Sequence, residues 1–317
     1  MGYTRRHALL AAALAALLAA PLALASAKST ADPYRFVVVG PNFADGGEER
    51  LKQTLADASD KSIAFVVVTG IKDASEGCGD KLYQKRRDII DAARRPVILS
   101  LAGSDWTGCR NSAGRSNAIE RLNRLRELFY PEPESLGKNK LPLTRLSTST
   151  RFRSYAENAH WEVGKVLYAT INLPADNNHF LPAAGRNSEY EDRLVANRFW
   201  LNRLFAIARR DKIEAVVLFS EGDLKALQEP AGGLRALLTR EPDGYDGFAA
   251  TRRQLLAQAK KFKGKILLVD AAGLAKGAKP AIAWRENVGH VSAGAGTLDV
   301  KVTPGSETLF RLEEPKQ

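Results

Sequence analysis

The chain alternates short unbroken apolar runs with longer stretches in which apolar residues return every three or four positions. The runs at 34–40, 62–68, 97–101, 166–172, 215–219 and 265–269 are rich in Val, Ile, Leu and Phe and end in Gly, Pro or polar residues. Each is too short for a helix and apolar throughout, which predicts strands buried on both faces. Helical spacing fills the gaps between them. Leu51, Leu55 and Ala58 share a face over 48–58, and Leu82, Ile89 and Ile90 share one over 80–93. Residues 116–130 place Ile119, Leu122, Leu125 and Phe129 together. Residues 188–209 do the same with Leu194, Phe199, Leu201, Leu204 and Phe205, and 248–262 is a basic helix.

Three strand–loop–helix units in succession predict a parallel sheet with right-handed crossovers. After them, 135–150 is polar and irregular and is expected to wrap the surface. Residues 161–173 read as two strands around a turn at Val163-Gly164-Lys165, and the tail, 282–312, alternates in short runs as an antiparallel sheet does. The expected fold class is α/β, with two stacked mixed β-sheets flanked by helices. No Gly/Ser/Pro-rich linker and no internal repeat divides the chain, so residues 28–317 are expected to be a single domain.

The first residues follow a different pattern. Arg5-Arg6-His7 precedes an apolar run over 8–25, which closes on Ala25-Ser26-Ala27. This is the layout of a secretory signal peptide over 1–27, favoured over an uncleaved anchor by its alanine richness and small-residue cleavage site. The arginine pair hints at the twin-arginine route, although Ala8 stands where that signal prefers a bulky apolar residue. The expected location is therefore periplasmic or secreted, with no transmembrane segment after cleavage. Removing Arg5 and Arg6 changes the charge from 47 − 36 = +11 to 45 − 36 = +9. The basic residues are spread along the chain and not interleaved with aromatics, which speaks against a nucleic-acid partner. They are compatible with an anionic or phosphate-bearing small molecule, or with an envelope component.

Candidate chemistry gathers at strand ends, where open α/β sheets hold their ligands. The run 97–101 breaks at Gly103 into Ser104-Asp105-Trp106-Thr107 and then Cys109, and the run 62–68 gives way to Thr69-Gly70-Ile71-Lys72. Cys78 and Cys109 are the two cysteines of the sequence. In an oxidising compartment an even count suggests a disulfide, and no histidine nearby supports a metal or nucleophilic thiol. Gly46-Gly47 lacks a phosphate-loop pattern and adjoins Asp45 and Glu48. Ser220-Glu221-Gly222 lacks a nucleophile elbow. His160 and His290 read as surface or satisfied core residues, and His179 has a slightly better claim to a site.

The order of elements, together with Gly70-Ile71-Lys72, Cys78 and Gly103-Ser104-Asp105-Trp106-Thr107-Gly108-Cys109, resembles a secreted bacterial branch of the calcineurin-like metallophosphoesterases. Leu128-Phe129-Tyr130-Pro131, Glu157-Asn158, Trp161-Glu162 and Asn177-Asn178 add to the resemblance, which spans nearly all of the chain after residue 27. It implies an α/β/β/α sandwich and a hydrolase that uses two divalent metals to activate water against a phosphate ester. It also implies metal ligands that this chain lacks. Pro41 and Gly70 stand where the family has Asp, Ser104 where it has Asn, and Asp270-Ala271-Ala272 where it has a His-Gly-Asp-x-His run.

Three readings follow from these residues. The first is an exported homologue that has lost two-metal hydrolysis, needs no cofactor, and binds a ligand or partner at Asn42, Lys72, Ser104, Asp105 and Trp106. A purely structural role for these five competes with it: Trp106 would pack under its loop, and Lys72 would pair with Asp73 or Asp105. The second reading is an active phosphoesterase holding manganese, zinc or iron through unconventional ligands such as Asp45, Asp105 and Asp270. The third is a structural, envelope-interaction protein.

Overall fold

The computed structural model describes residues 32–43, 46–182, 185, 187–228, 245–275 and 277–314. The signal-peptide segment and Asp45 lie outside the described residues. Strands β1 (Tyr34–Val39), β2 (Ile63–Thr69) and β3 (Val97–Ser100) alternate with helices α1 (Gly47–Asp57) and α2 (Asp80–Asp91), as the periodicity predicts. Helix α3 (Ala118–Phe129) follows, then β4 (Thr144–Arg145), β5 (Ala159–Val163) and β6 (Val166–Thr170). The long helix α4 (Ser188–Arg210) leads to β7 (Ala215–Phe219), and α5 (Ala249–Ala259) to β8 (Lys265–Asp270). The chain closes with β9 (Ala283–Arg285), β10 (Val288–Ser292), β11 (Thr297–Val302) and β12 (Phe310–Glu313).

Among the described residues the strands form two mixed sheets, ordered β12-β11-β1-β2-β3 and β4-β5-β6-β7-β8-β10-β9. Side chains alternate across each strand, so each sheet has two faces to bury. Val37, Val66, Val68 and Leu99 meet Leu51, Ile90, Leu122 and Leu125 of α1, α2 and α3 on the outer face of the first sheet. Leu167, Val216, Leu218, Ile266 and Leu268 meet Trp200, Leu204, Phe205 and Leu255 of α4 and α5 on the outer face of the second. The remaining faces pack on each other through Phe36, Phe65, Trp161, Tyr168 and Phe219. Phe36 stacks on Phe65 at 5.4 Å, and Phe65 meets Tyr168 edge-on at 4.8 Å. Such pairs contribute about 0.5–1.5 kcal/mol each beyond the area they bury. The result is the predicted α/β/β/α sandwich.

The structure corrects several local expectations. The tail does not form one antiparallel sheet. β9 and β10 make an antiparallel pair, but β10 then joins β8 in parallel, while β11 and β12 cross to the first sheet, where β11 pairs antiparallel with β1. Short alternating runs report a half-buried strand but not which sheet receives it. The polar stretch before β5 is not wholly superficial, because Leu146 is fully buried and Thr144 pairs with His160. In α2 the buried positions include Tyr83 and Arg86. Arg86 turns inward because its Nε donates to the Ile71 carbonyl at 3.0 Å and its guanidinium meets Glu48 and Glu76. Ile119 and Phe199, predicted to face the core, are 50% and 39% exposed. No helix among the described residues is long and apolar enough to cross a membrane.

Candidate functional site

The ends of β2, β3 and β7 converge on one crest. Past β3 the chain tightens into a single 3₁₀ turn, Gly103–Asp105, which sends the Asp105 side chain back into the protein. Asp105 is fully buried, and its two oxygens are both engaged. Oδ1 accepts the Ile71 N–H and Oδ2 the Ala102 N–H, each at 2.8 Å. One carboxylate thus closes the exits of two neighbouring strands. Burial pushes its pKa up to about 7, against the pull of those two amides. Tyr83 fixes the same turn from α2 by donating its hydroxyl to the Asp105 carbonyl at 2.6 Å.

Lys72 is almost as deeply placed, at 2% exposure. Its ammonium donates to the backbone carbonyls of Asp73 and Ser104, both at 2.7 Å, and Ser104 Oγ donates in return to the Lys72 carbonyl at 3.0 Å. Burial lowers the Lys72 pKa, with Asp105 the leading opposing influence. A disulfide between Cys78 and Cys109, with Cα atoms 5.8 Å apart, ties the two crest loops together beside these bonds.

Trp106 is buried under the turn, within the core between the first sheet and its helices, with its ring edge-on to His179 at 4.8 Å. His179 ends a run of three left-handed residues, Asn177, Asn178 and His179, with φ of 42°, 55° and 51°. L-residues disfavour this conformation, by roughly 1–2 kcal/mol each for ordinary side chains. The run is held by Asn178, which is buried, accepts from Arg193 through its side-chain oxygen, and donates to the Gly247 carbonyl at 2.9 Å.

From the second sheet, Glu221 follows β7 and reaches across the gap. Its Oε2 accepts the N–H of Gly103 at 2.5 Å and that of Ala175 at 2.8 Å. Burial raises the Glu221 pKa. Between these elements lies a recess of about 380 Å³, lined by Lys72, Glu76, Ser104, Arg110, Asp176 and Glu221 and floored by the disulfide. That volume suits a small ligand.

The five sequence-predicted cleft residues therefore separate. Lys72 and Ser104 reach the recess. Asp105 and Trp106 do not line it, because the 3₁₀ turn folds both beneath the surface, where each is fully buried. Asn42, in the loop after β1, is exposed and outside the recess lining, and its Oδ1 accepts from Arg50 at 3.0 Å. Glu221 was legible as a strand-end residue, but its reach across to the other sheet has no counterpart in local spacing.

The crest residues do not fit a two-metal centre. Gly70 has φ +73°, and a Cβ built there would lie 2.8 Å from the Ala102 Cβ, so this backbone has no room for an Asp at that position. Pro41 has no side-chain donor atom, and both oxygens of the fully buried Asp105 are already engaged by backbone amides. Asp270 ends β8 beside Glu221, whose carbonyl accepts the Ala271 N–H at 3.1 Å, but strand alternation turns its side chain to the outer face with Ile266 and Leu268. The alternative ligand set of Asp105 and Asp270 is split in the same way. Glu157, part of the family resemblance, is a buried partner of Arg126 at 2.7 Å and of Asn172 at 3.0 Å, away from the recess lining.

No protein-family model matches the chain. No curated protein matches it either. Among solved structures it is similar to a dimetal phosphatase from Danio rerio, with a TM-score of 0.48, 11% identity, and coverage of 85% of this chain and 93% of that one. A hypothetical protein from Thermus thermophilus gives a TM-score of 0.35 at 13% identity over 82% and 76%. A glutamine-dependent NAD+ synthetase from Acinetobacter baumannii gives 0.39 at 7% identity, over 90% of this chain and 48% of that one. Likenesses at this level concern general layout and fix neither a family nor an activity.

Proposed function

We propose that this chain is an exported, metallophosphoesterase-like protein that binds a small ligand at the crest and no longer performs two-metal phosphoester hydrolysis. The observation that carries this reading is the state of the crest carboxylates. Asp105 and Glu221 are buried and hold backbone N–H groups of Ile71, Ala102, Gly103 and Ala175, which makes them pieces of a scaffold. The recess above them keeps the strand-end position at which α/β proteins bind ligands. Lys72 and Arg110 are its cationic groups, set against Glu76, Asp176 and Glu221. The ligand class proposed is a small molecule that meets these cations with an anionic or phosphate group and the carboxylates with its neutral or cationic part. Export rests on the basic, apolar and small-residue pattern of residues 1–27.

The test is hydrolysis of an aryl phosphate by the purified protein with manganese, with zinc and with chelator. We expect background rates in all three. A rate that rises with metal and is abolished by chelator would overturn the loss of hydrolysis. Ligand binding is read separately, as a thermal shift with phosphate-bearing compounds that is lost in Arg110→Ala, a substitution at an exposed position.

A further inference from the structure

On the outer face of the second sheet, three ligand-bearing side chains from three separate segments come together. His290 Nε2 lies 2.6 Å from Asp270 Oδ2 and 3.6 Å from Asp223 Oδ1, and all three ligand atoms fall within 4.8 Å of one another. We propose that Asp223, Asp270 and His290 form a binding site for one first-row divalent cation of the zinc or manganese class, separate from the crest.

Topology makes the convergence. β8 and β10 run parallel with Asp270 opposite Ser292, so His290, two residues earlier on β10, occupies the same face one step back. That face is the one carrying Ile266, Leu268 and Val288 against α4 and α5. Asp223 arrives from the loop after β7, beside Leu224 of the same apolar cluster. Glu221, two residues earlier, points the opposite way, to Gly103 of the first sheet. The sheet itself thus separates this cluster from the recess.

The donor set is chemically coherent. One imidazole nitrogen and two carboxylate oxygens suit zinc or manganese, while the absence of thiolate disfavours the softest ions and the imidazole disfavours calcium. Around a tetrahedral ion with bonds of about 2.0–2.2 Å, ligand atoms lie roughly 3.4 Å apart, which the Asp223–His290 separation already matches. The Asp270–His290 contact must open as the ion replaces the proton between them, and that proton moves to the other ring nitrogen or to water.

Backbone groups already orient both carboxylates, as outer-shell partners do in metal sites. Ala272 N–H donates to Asp270 Oδ1 at 3.0 Å, leaving Oδ2 to the site, and Lys225 N–H donates to Asp223 Oδ1 at 2.6 Å. The Asp270 side chain is 3% exposed, while those of His290 and Asp223 are 24% and 27% exposed. The site therefore has a buried floor and an open side, where water can complete the coordination.

The test is calorimetric titration of chelator-stripped full chain with zinc, repeated with cobalt while visible absorption is followed. We expect one saturable ion per chain, intense d–d bands with cobalt, and loss of both in His290→Gln and in Asp223→Asn. Asp223 lies outside the strands and is part-exposed, so its variant reads the site even if the strand variant folds poorly. Glu221→Gln, on the crest, should leave binding unchanged. Absence of saturable binding in the wild type, or binding that survives both site variants, overturns the proposal. Loss in Glu221→Gln alone would place the ion at the crest, overturning this site and the reading of the crest as metal-free together. Aryl-phosphate hydrolysis without any change at Asp223 or His290 would count against the crest reading only.

Discussion

Glu221, just past the second sheet's β7, accepts the Gly103 N–H, just past the first sheet's β3, at 2.5 Å, a direct bond between the strand ends of the two sheets. The same oxygen takes the Ala175 N–H, so one side chain satisfies two amides. Glu221→Ala leaves both without that partner, at about 1–3 kcal/mol for the buried Gly103 amide and less for that of Ala175, an exposed residue that water can reach. Glu221→Gln keeps an acceptor oxygen in place and should lose much less. Urea denaturation of the two variants checks this, and equal losses would mean the carbonyl-type acceptor is not what matters.

Asp105 should leave a mark on the pH dependence of stability. Its folded pKa of about 7 lies above the ordinary value of 3.8, so between those values the folded state binds more protons than the unfolded state. Its contribution is therefore complete below about pH 4 and is lost as pH rises toward 7. Other groups titrate as well, so the measurement is the wild-type stability minus that of Asp105→Asn across this range. The difference is expected to fall as pH rises; a flat difference would refute the assignment.

The disulfide closes a loop with a sequence separation of 31 residues. In the chain-entropy picture a loop of that length is worth about 3–4 kcal/mol. Cys78→Ser together with Cys109→Ser should lower stability by that order, and a reducing agent should move the wild-type denaturation midpoint toward that of the double variant. Because the bond floors the recess, hydrogen exchange should quicken in both crest loops before it does in the core strands.

Asn178 combines a left-handed backbone with buried side-chain bonds. Asn178→Ala and Asn178→Gly both remove those bonds, but only Gly adopts φ 55° without a steric penalty. The alanine variant should be the less stable by about 1 kcal/mol, read from thermal melts.

The strands β1, β2, β3, β6, β7 and β8 were legible because burial on both faces leaves an unbroken apolar run, a signal that needs no partner to be read. The two cysteines pair, as their even count suggests. Asp105 and Trp106 were correctly placed in the chain and wrongly placed in space. One 3₁₀ turn decides whether a strand-end residue faces outward or folds under, and Ser104-Asp105-Trp106 carries no periodicity that reveals it. Arg86 is another such case, since an arginine in a helix reads as solvent-facing until its acceptors, Ile71, Glu48 and Glu76, are assembled around it. Asp270 and His290 read only as separate residues, a candidate ligand and a surface or core histidine, and Asp223 carries no signal, because the three belong to segments that only the β7-β8-β10 order brings together.

That pairing of distant segments extends to β1. Tyr34 to Val39 lie in register against Val302 to Thr297, so β1 is completed by a strand made only after β2 through β10. Until then one edge of β1 has no neighbour, and its unpaired N–H and C=O groups are open to other chains. Contacts this distant in sequence also form slowly. Synthesis therefore runs ahead of assembly: the first sheet stays unfinished, with β1 open along one side, until β11 has been made.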